Sequence, residues 1–498
     1  MVLAMEREFV LGIDQGSTGT RALIVDRSGE VVCSAYRRIA SFYPHEGWVE
    51  HDPIEIWESV RESLIEIAGE FDFSKIRAIG ITNQRESALL WERTTGKPVT
   101  PFISWQCTRS QEIIDRWEPL ATEVSEKTGL INNTYFSASK VAWIFENEPD
   151  LLSRAENSEL CFGNVNTWLL WNLTGGEKHL TDSSNAGRTM FFDVRKNQWD
   201  DELLKKMGIP SQILPEVTPC DAFFGSAVEP PEAFTEPIPI RASLGDQMSA
   251  LFGQACFSRG EAKCTIGTSL NLVAYTGDYE PPAGGILPAI ACDRSGEITY
   301  ELEGGVYVAG SVIEWLTDQL GVAGDPDEVD RLAQEVDSTN GVFFVPAFQG
   351  LGAPHWDPRA RALIIGLSRF HDRRHVCRAA LESIALQTND VVNAMHEQFG
   401  LALSVLRVDG GVARSDFVLQ LFADVFGCRI ERPKNTDRTS MGAVYLAGLA
   451  SGLWSDTEEV SRLWKLDKAF EPIMDHGERA RLIEGWKQAV GRSLEWVK

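Results

Sequence analysis

Residues 9–26 read FVLGIDQGSTGTRALIVD. Residues 9–13 are apolar, residues 14–21 make a turn rich in Gly, Ser and Thr, and residues 22–25 are apolar again. Short apolar runs bounded by turn residues predict strands, so the stretch reads as a β-hairpin. Residues 26–29 turn the chain once more, and Val31 opens a third strand. A helix is then announced by Asp52 as N-cap, Pro53 at the first helical position and Glu55 as the far side of a capping box. Ile54, Trp57, Val60, Leu64 and Ile67 recur at helical spacing behind it, and Gly69 offers a stop. Residues 76–81 are a short buried strand that runs into TNQRE.

The second half repeats this grammar. Residues 263–275 are again strand, Gly-Thr-Ser turn and strand. Residues 374–399 carry a long helical pattern, and residues 403–408 are a strand ending in DGG. Ser415 is placed to cap the next helix. Residues 441–450 form a small-residue helix, with Gly442, Ala443, Ala447 and Gly448 suited to close packing. Alternating strands and helices, with a glycine-rich hairpin opening each half, predict two related α/β domains with a cleft between them. The division is expected after the helical segment 247–257, giving domains 1–255 and 256–498.

A chain of 498 residues is too long for one core and comfortable for two. Forty-seven basic against 72 acidic residues give a net charge of −25, which argues against nucleic acid or an anionic membrane as the main partner. No apolar run reaches the length of a membrane span, and the first nine residues lack the apolar core of a signal peptide. The nine cysteines are scattered without a CxxC pair, so reduced thiols in a cytoplasm are expected.

The turns carry a chemistry. Backbone N–H groups in Gly/Ser/Thr turns approach polyphosphate closely. In DQGSTGTR, Gly16 and Gly19 permit that approach, Ser17, Thr18 and Thr20 add hydroxyls, and Arg21 adds a cation. Asp14, at a strand end, is suited to hold Mg²⁺ through water. KCTIGTS at residues 263–269 and DGG at residues 409–411 offer two more such turns. Any one of these is more often a plain turn; their recurrence in both halves favours phosphate handling. No GxxxxGK[ST] P-loop, GxGxxG, kinase catalytic-loop set, HExxH or zinc spacing competes with them.

Ordered motifs then extend along nearly the whole chain: DQGSTGTRALIVD, GWVEHDPIEIW, GITNQRES, SWQ, YFSASKVAWIFEN, GDQMSALFGQ, FQGLGAPHWDP, RVDGG and SMGAVYLAGL. In these the chain resembles the FGGY family of carbohydrate kinases, and within it the glycerol-phosphorylating branch. The resemblance implies an α/β fold of two actin-like, ribonuclease-H-like ATPase domains with the active site in the cleft between them. The first domain would hold the polyol and the second the nucleotide. It implies transfer of phosphate from ATP, with Mg²⁺, to glycerol, giving sn-glycerol 3-phosphate. Asp246 corresponds to the general base. Arg85, Glu86, Trp105, Tyr135 and Gln247 match substrate-binding positions. Ser17, Thr18, Gly19, Arg21, Thr268, Gly310, Glu314, Gly411 and Ser415 match positions around the nucleotide, and Asp14 the water-mediated magnesium position. Relatives are commonly homodimers or homotetramers. Taken singly, Arg85 and Glu86 read more readily as a surface ion pair, Trp105 as packing and Asp246 as a helix N-cap; the ordered set reverses this for Asp246, Arg85 and Glu86.

The chain departs from the pattern at GTSLN, where Asn271 stands in place of an expected Phe that packs on the substrate. An amide in place of a ring admits a second reading, a kinase of another polyol or a ketose. A third, a nucleotide-binding paralogue without catalysis, is opposed by the presence of Asp14, Arg21 and Asp246. Smaller departures are Asn166 in place of an Asp, Glu314 in place of a Gln, and Ser415 with Asp416 in place of an Asn pair.

Overall fold

The hairpin at residues 9–26 forms as read. In the computed structural model, which describes residues 7–497, β1 (Phe9–Gly16), β2 (Gly19–Asp26) and β3 (Val31–Arg38) make an antiparallel meander. The principal elements that follow are α1 (Pro53–Glu70), β4 (Ile76–Asn83), α2 (Ser137–Asn147), α3 (Ser183–Ala186), β5 (Ser226–Ala227), β6 (Ile238–Gly245) and α4 (Asp246–Gly253). Next come β7 (Glu261–Ile266), β8 (Leu270–Gly277), α5 (Gly310–Glu314), α6 (Arg373–Phe399) and β9 (Val405–Asp409). The chain closes through α7 (Asp416–Phe426), β10 (Ile430–Pro433), α8 (Arg438–Ala450) and β11 (Leu466–Phe470), with a final helix from His476 to Ser493. Among the described residues no helix is long and apolar enough to cross a membrane.

The chain divides into two compact units. The first takes in the described residues through Ala255 together with Pro288–Tyr300 and Arg438–Leu463; the second takes in Cys256–Leu287, Glu301–Asp437 and the residues from Trp464 on.

In the first unit the strands lie in the order β5-β6-β4-β1-β2-β3. β4 runs parallel to both β1 and β6, so three strands point their carboxyl ends the same way. α1 covers one face, with Ile56, Val60, Leu64 and Ile67 against Leu11, Ile13 and Ile24 of the sheet. Asp52 caps α1 by accepting from the Ile54 N–H at 2.8 Å. Two details differ from the expectation. Ile54 is exposed, because the buried stripe runs through Pro53, Ile56, Val60, Leu64 and Ile67 and leaves Ile54 on the other side of the first turn. Glu55 forms no capping box; its carboxylate accepts from the Ala40 N–H at 3.0 Å, which ties the helix to the chain leaving β3.

α8 lies in sequence between two segments of the second unit yet belongs to the first. Its small residues explain this. Gly442, Ala443, Ala447 and Gly448 are all buried, and a narrow helix of this kind lies close against β4 and α4.

The core of the second unit's sheet runs β8-β7-β9-β10-β11. β7 pairs antiparallel with β8 and parallel with β9, and β10 continues parallel. The antiparallel hairpin followed by parallel strands is the pattern of the first unit again. α6 opens with a capping box made by Asp372 and His375 and buries Leu381, Ile384, Leu386, Val391 and Met395.

Candidate active site

β1, β4 and β6 end in register: Gln15 lies opposite Asn83, and Asn83 opposite Gly245. The next residues of each strand therefore emerge side by side, which is where parallel α/β sheets bind ligands. Ser17 and Thr18 follow β1, Arg85 and Glu86 follow β4, and Asp246 with Gln247 follows β6. Gln84 knits the first two together: its backbone N–H donates to the Gln15 carbonyl at 2.7 Å, and its side-chain oxygen accepts from the Ser17 hydroxyl at 3.3 Å.

Arg85 and Glu86 are not a surface pair, since both side chains are 2 % exposed. Arg85 Nε stands 3.0 Å from Asp246 Oδ1 and 3.6 Å from Glu86 Oε1. The Arg85 side chain crosses the backbone at Gly245, where an added Cβ would come within 2.6 Å of its Cδ. A glycine before Asp246 is what lets the guanidinium lie flat there. Asp246 is the first residue of α4, not its cap; Gly245 holds the cap position. Asp246 Oδ1 also accepts from the Gln247 N–H at 2.7 Å, and its side chain remains 30 % exposed. Glu86 has φ of 60°, a left-handed backbone that side chains other than glycine rarely adopt. Its carbonyl is held by the Ser137 hydroxyl at 3.0 Å.

The two aromatic candidates meet. The Trp105 and Tyr135 ring centroids are 5.3 Å apart, and Trp105 Nε1 donates to the Ser17 hydroxyl at 2.9 Å. Tyr135 sits just before α2, and its backbone is pinned by a residue that sequence reasoning did not single out. Lys140, with no solvent exposure, donates from Nζ to the carbonyls of Thr134 at 2.5 Å, Tyr135 at 2.8 Å and Phe136 at 2.9 Å. Lys140→Met is expected to cost about 3 kcal/mol of stability, because three buried carbonyls lose their donor. Denaturant unfolding measures it, and an unchanged midpoint would show the three bonds to be dispensable.

Behind these residues lies a buried polar frame. Asp182 caps α3 and accepts from the Ser184 and Ser243 hydroxyls at 2.5 and 2.8 Å and from the side chains of Asn166 and Asn185 at 2.9 and 2.7 Å. Its burial pushes its carboxyl above the usual range, while these donors pull it back. Asn166, a departure in sequence, is thus an amide donor to a buried carboxylate. Asn185 pairs with Asn83 at 3.0 and 3.1 Å, and Ser184 accepts from the Gly245 N–H at 3.0 Å. Arg188 donates from Nε to Glu86 Oε1 at 2.7 Å.

In the first unit's hairpin, Asp14 Oδ2 accepts from the Ser440 hydroxyl at 3.0 Å, and Arg21 lies over the Tyr36 ring at 5.6 Å. Gly19 stands opposite Gly16, leaving Ser17 and Thr18 as the two-residue loop. In the second unit three turns adjoin. The Thr268 carbonyl accepts from Ala309 and Ser311 N–H groups at 2.9 and 3.2 Å, and the Gly267 carbonyl from the Gly310 N–H at 2.8 Å. Thr268, Glu314 and Gly411 are exposed. Ser415 caps α7, accepting from the Val418 N–H at 3.1 Å, and its hydroxyl is bonded to Asp330. The structure thus groups Thr268, Gly310 and Gly411 around turns, while Ser415 serves the helix behind them.

The model of the FGGY family of carbohydrate kinases matches this chain in both parts, its N-terminal domain over residues 9–253 and its C-terminal domain over residues 262–451. A glycerol kinase of Thermoanaerobacter pseudethanolicus is 45% identical over 497 residues, covering 99% of each chain. Glycerol kinase 2 of Thermotoga maritima is 46% identical over 498 residues, covering 99% of this chain and all of the relative. Among solved structures, the glycerol kinase of Plasmodium falciparum with ADP superposes with a TM-score of 0.92 at 36% identity, covering 98% of each chain.

Proposed function

Because the chain belongs to the FGGY family of carbohydrate kinases, we propose that it transfers the γ-phosphoryl group of ATP to glycerol, yielding sn-glycerol 3-phosphate. The observation that carries this reading is the cluster at the ends of β1, β4 and β6, in which Arg85 joins Asp246 and Glu86 beside the Trp105–Tyr135 pair. A three-carbon triol needs donors and acceptors for its hydroxyls and an apolar wall for its carbons. Arg85 donates, Glu86 accepts, Gln247 and the Tyr135 hydroxyl do either, and the indole of Trp105 supplies the wall. The glycerol kinases at 45% and 46% identity support the same acceptor.

Asp246 is the general base in this reading. An alcohol is a weak nucleophile; the carboxylate orients the hydroxyl and takes its proton as the oxygen joins the γ-phosphorus and the bond to ADP breaks. Arg85 holds the carboxylate in that aim. Ser17, Thr18, Gly19 and Arg21 in the first unit, and Thr268, Gly310, Glu314 and Gly411 in the second, serve the nucleotide in this reading, while Ser415 caps the helix that follows the Gly411 turn. The ADP bound by the Plasmodium falciparum relative supports ATP as co-substrate. A magnesium ion keeps several waters and needs only one or two carboxylates beside the phosphates, so the carboxylate of Asp14, two residues before the end of β1, fits it. When bound it supplies charge neutralisation on the phosphates. All nine cysteines are free, which suits a reducing cytoplasm, and we assign the enzyme there as a homodimer or homotetramer.

Coupled ADP release with MgATP tests the acceptor, run on glycerol beside erythritol, xylitol, ribulose and xylulose. Fast turnover on glycerol alone is expected. A second reading, a longer polyol or ketose, rests on Asn271, half-buried on β8 opposite Thr265. Asn271→Phe is expected to lower the KM for glycerol roughly tenfold, the value of one apolar contact. Turnover on a longer substrate with a raised glycerol KM in that variant would move the assignment to the second reading.

A further inference from the structure

We infer that Arg188 is a positioning residue that sets how tightly the acceptor is bound, acting through Glu86. The inference rests on the reading of Glu86 as an acceptor ligand. Arg188 is 3 % exposed, and its Nε donates to Glu86 Oε1 at 2.7 Å. Its guanidinium lies over the Phe136 ring at 5.2 Å, directly beside Tyr135 in sequence. Glu86 needs such a support. Its backbone is left-handed, and its side chain is buried where solvent does not hold a carboxylate in place. A charge-assisted bond from a planar guanidinium fixes both the position and the plane of the carboxylate.

The segment that carries Arg188 is itself tied to each part of the cluster. Ser184 holds the Gly245 N–H, one residue before Asp246. Asn185 holds Asn83, two residues before Arg85. The Thr189 carbonyl accepts from the Ala138 N–H at 3.0 Å, in the first turn of the helix behind Tyr135. Residues 182–189 therefore form one rigid frame, and Arg188 is its arm toward the acceptor. The neighbouring Arg85 stands 3.6 Å from the same Glu86 oxygen and reaches Asp246 as well. Arg188 bonds Glu86, the acceptor ligand of this reading, so its loss is expected first in acceptor binding.

Steady-state kinetics on R188M, E86Q and the double variant test this. R188M is expected to raise the KM for glycerol roughly 10- to 100-fold, the value of one hydrogen bond to a charged group, with kcat and the KM for ATP little changed. The double variant is expected to be no worse than E86Q alone, since Arg188 acts through that carboxylate. R188K keeps the charge without the planar fork and is expected to raise the glycerol KM about tenfold; it carries the test if R188M does not fold. Additive losses in the double variant, an unchanged glycerol KM in R188K, or a fall in kcat with no change in glycerol KM would overturn the inference. If E86Q itself leaves the glycerol KM unchanged, the acceptor reading of Glu86 fails instead.

Discussion

Asp246→Asn is expected to lower kcat by about 10²–10⁴-fold while the dissociation constant for ATP stays within a factor of two or so. The side chain is the only carboxylate in the acceptor cluster that stays substantially exposed, at 30 %, whereas Glu86 is buried at 2 %. An amide there keeps the shape and part of the hydrogen bonding. It cannot take a proton. Arg85, 3.0 Å away, loses a charged partner, so glycerol binding weakens modestly as well. The turns Ser17–Thr18 and Gly267–Thr268, which the proposed function gives to the nucleotide, do not include this carboxylate, which is why the ATP affinity is the internal control. Isothermal titration beside the coupled assay separates the two quantities. A variant that turns over at the native rate would remove Asp246 from the role of base and leave the acceptor's proton to another group.

Gly442→Ala is expected to destabilise the protein by about 3–5 kcal/mol or to abolish soluble expression. A Cβ at Gly442 would stand 1.8 Å from the Ser249 carbonyl oxygen, a backbone atom of α4 that cannot swing aside. α8 is tight elsewhere: a Cβ at Gly253 of α4 would lie 2.0 Å from the Arg438 carbonyl oxygen, and one at Gly80 of β4 2.2 Å from that of Ala443. Gly69→Ala is the matched control. It sits in α1 with nothing within 4 Å of its Cβ, so it should stabilise by up to about 1 kcal/mol. Urea midpoints for the two variants read the difference directly. Equal midpoints would mean that α8 and α4 can part without cost. A survivor of Gly442→Ala is also expected to lose activity, since α4 begins at Asp246.

Much of this was legible in the sequence because its signals are local. The β1–β2 hairpin, the cap at Asp52, the cap at Ser415 and the span of α6 each depend on residues within a few positions of one another. Glu55 shows where local reading stops: three residues from Asp52, it has the spacing of a capping box, yet a backbone N–H fifteen residues away at Ala40 claims it. Arg188 and Glu86 are 102 positions apart, as are Asn185 and Asn83. Neither pair has a periodicity or a motif that announces it. Lys140 stood in plain view within YFSASKVAWIFEN, but a lone lysine on a helix reads as solvated until its three carbonyl acceptors are seen. Buried polar frames of this sort are tertiary facts, and composition does not hold them.

The placement of α8 has a consequence for how the chain comes off the ribosome. The first unit lacks the helix that covers β4 and α4 until synthesis passes Ala450. Roughly two hundred residues separate Ala255 from Arg438, so at 5–20 residues per second the apolar flank of the nascent first unit waits about 10–40 s for its cover. During that interval it is a natural client for a holdase, and a message cut short before residue 438 yields a polypeptide that exposes this flank permanently.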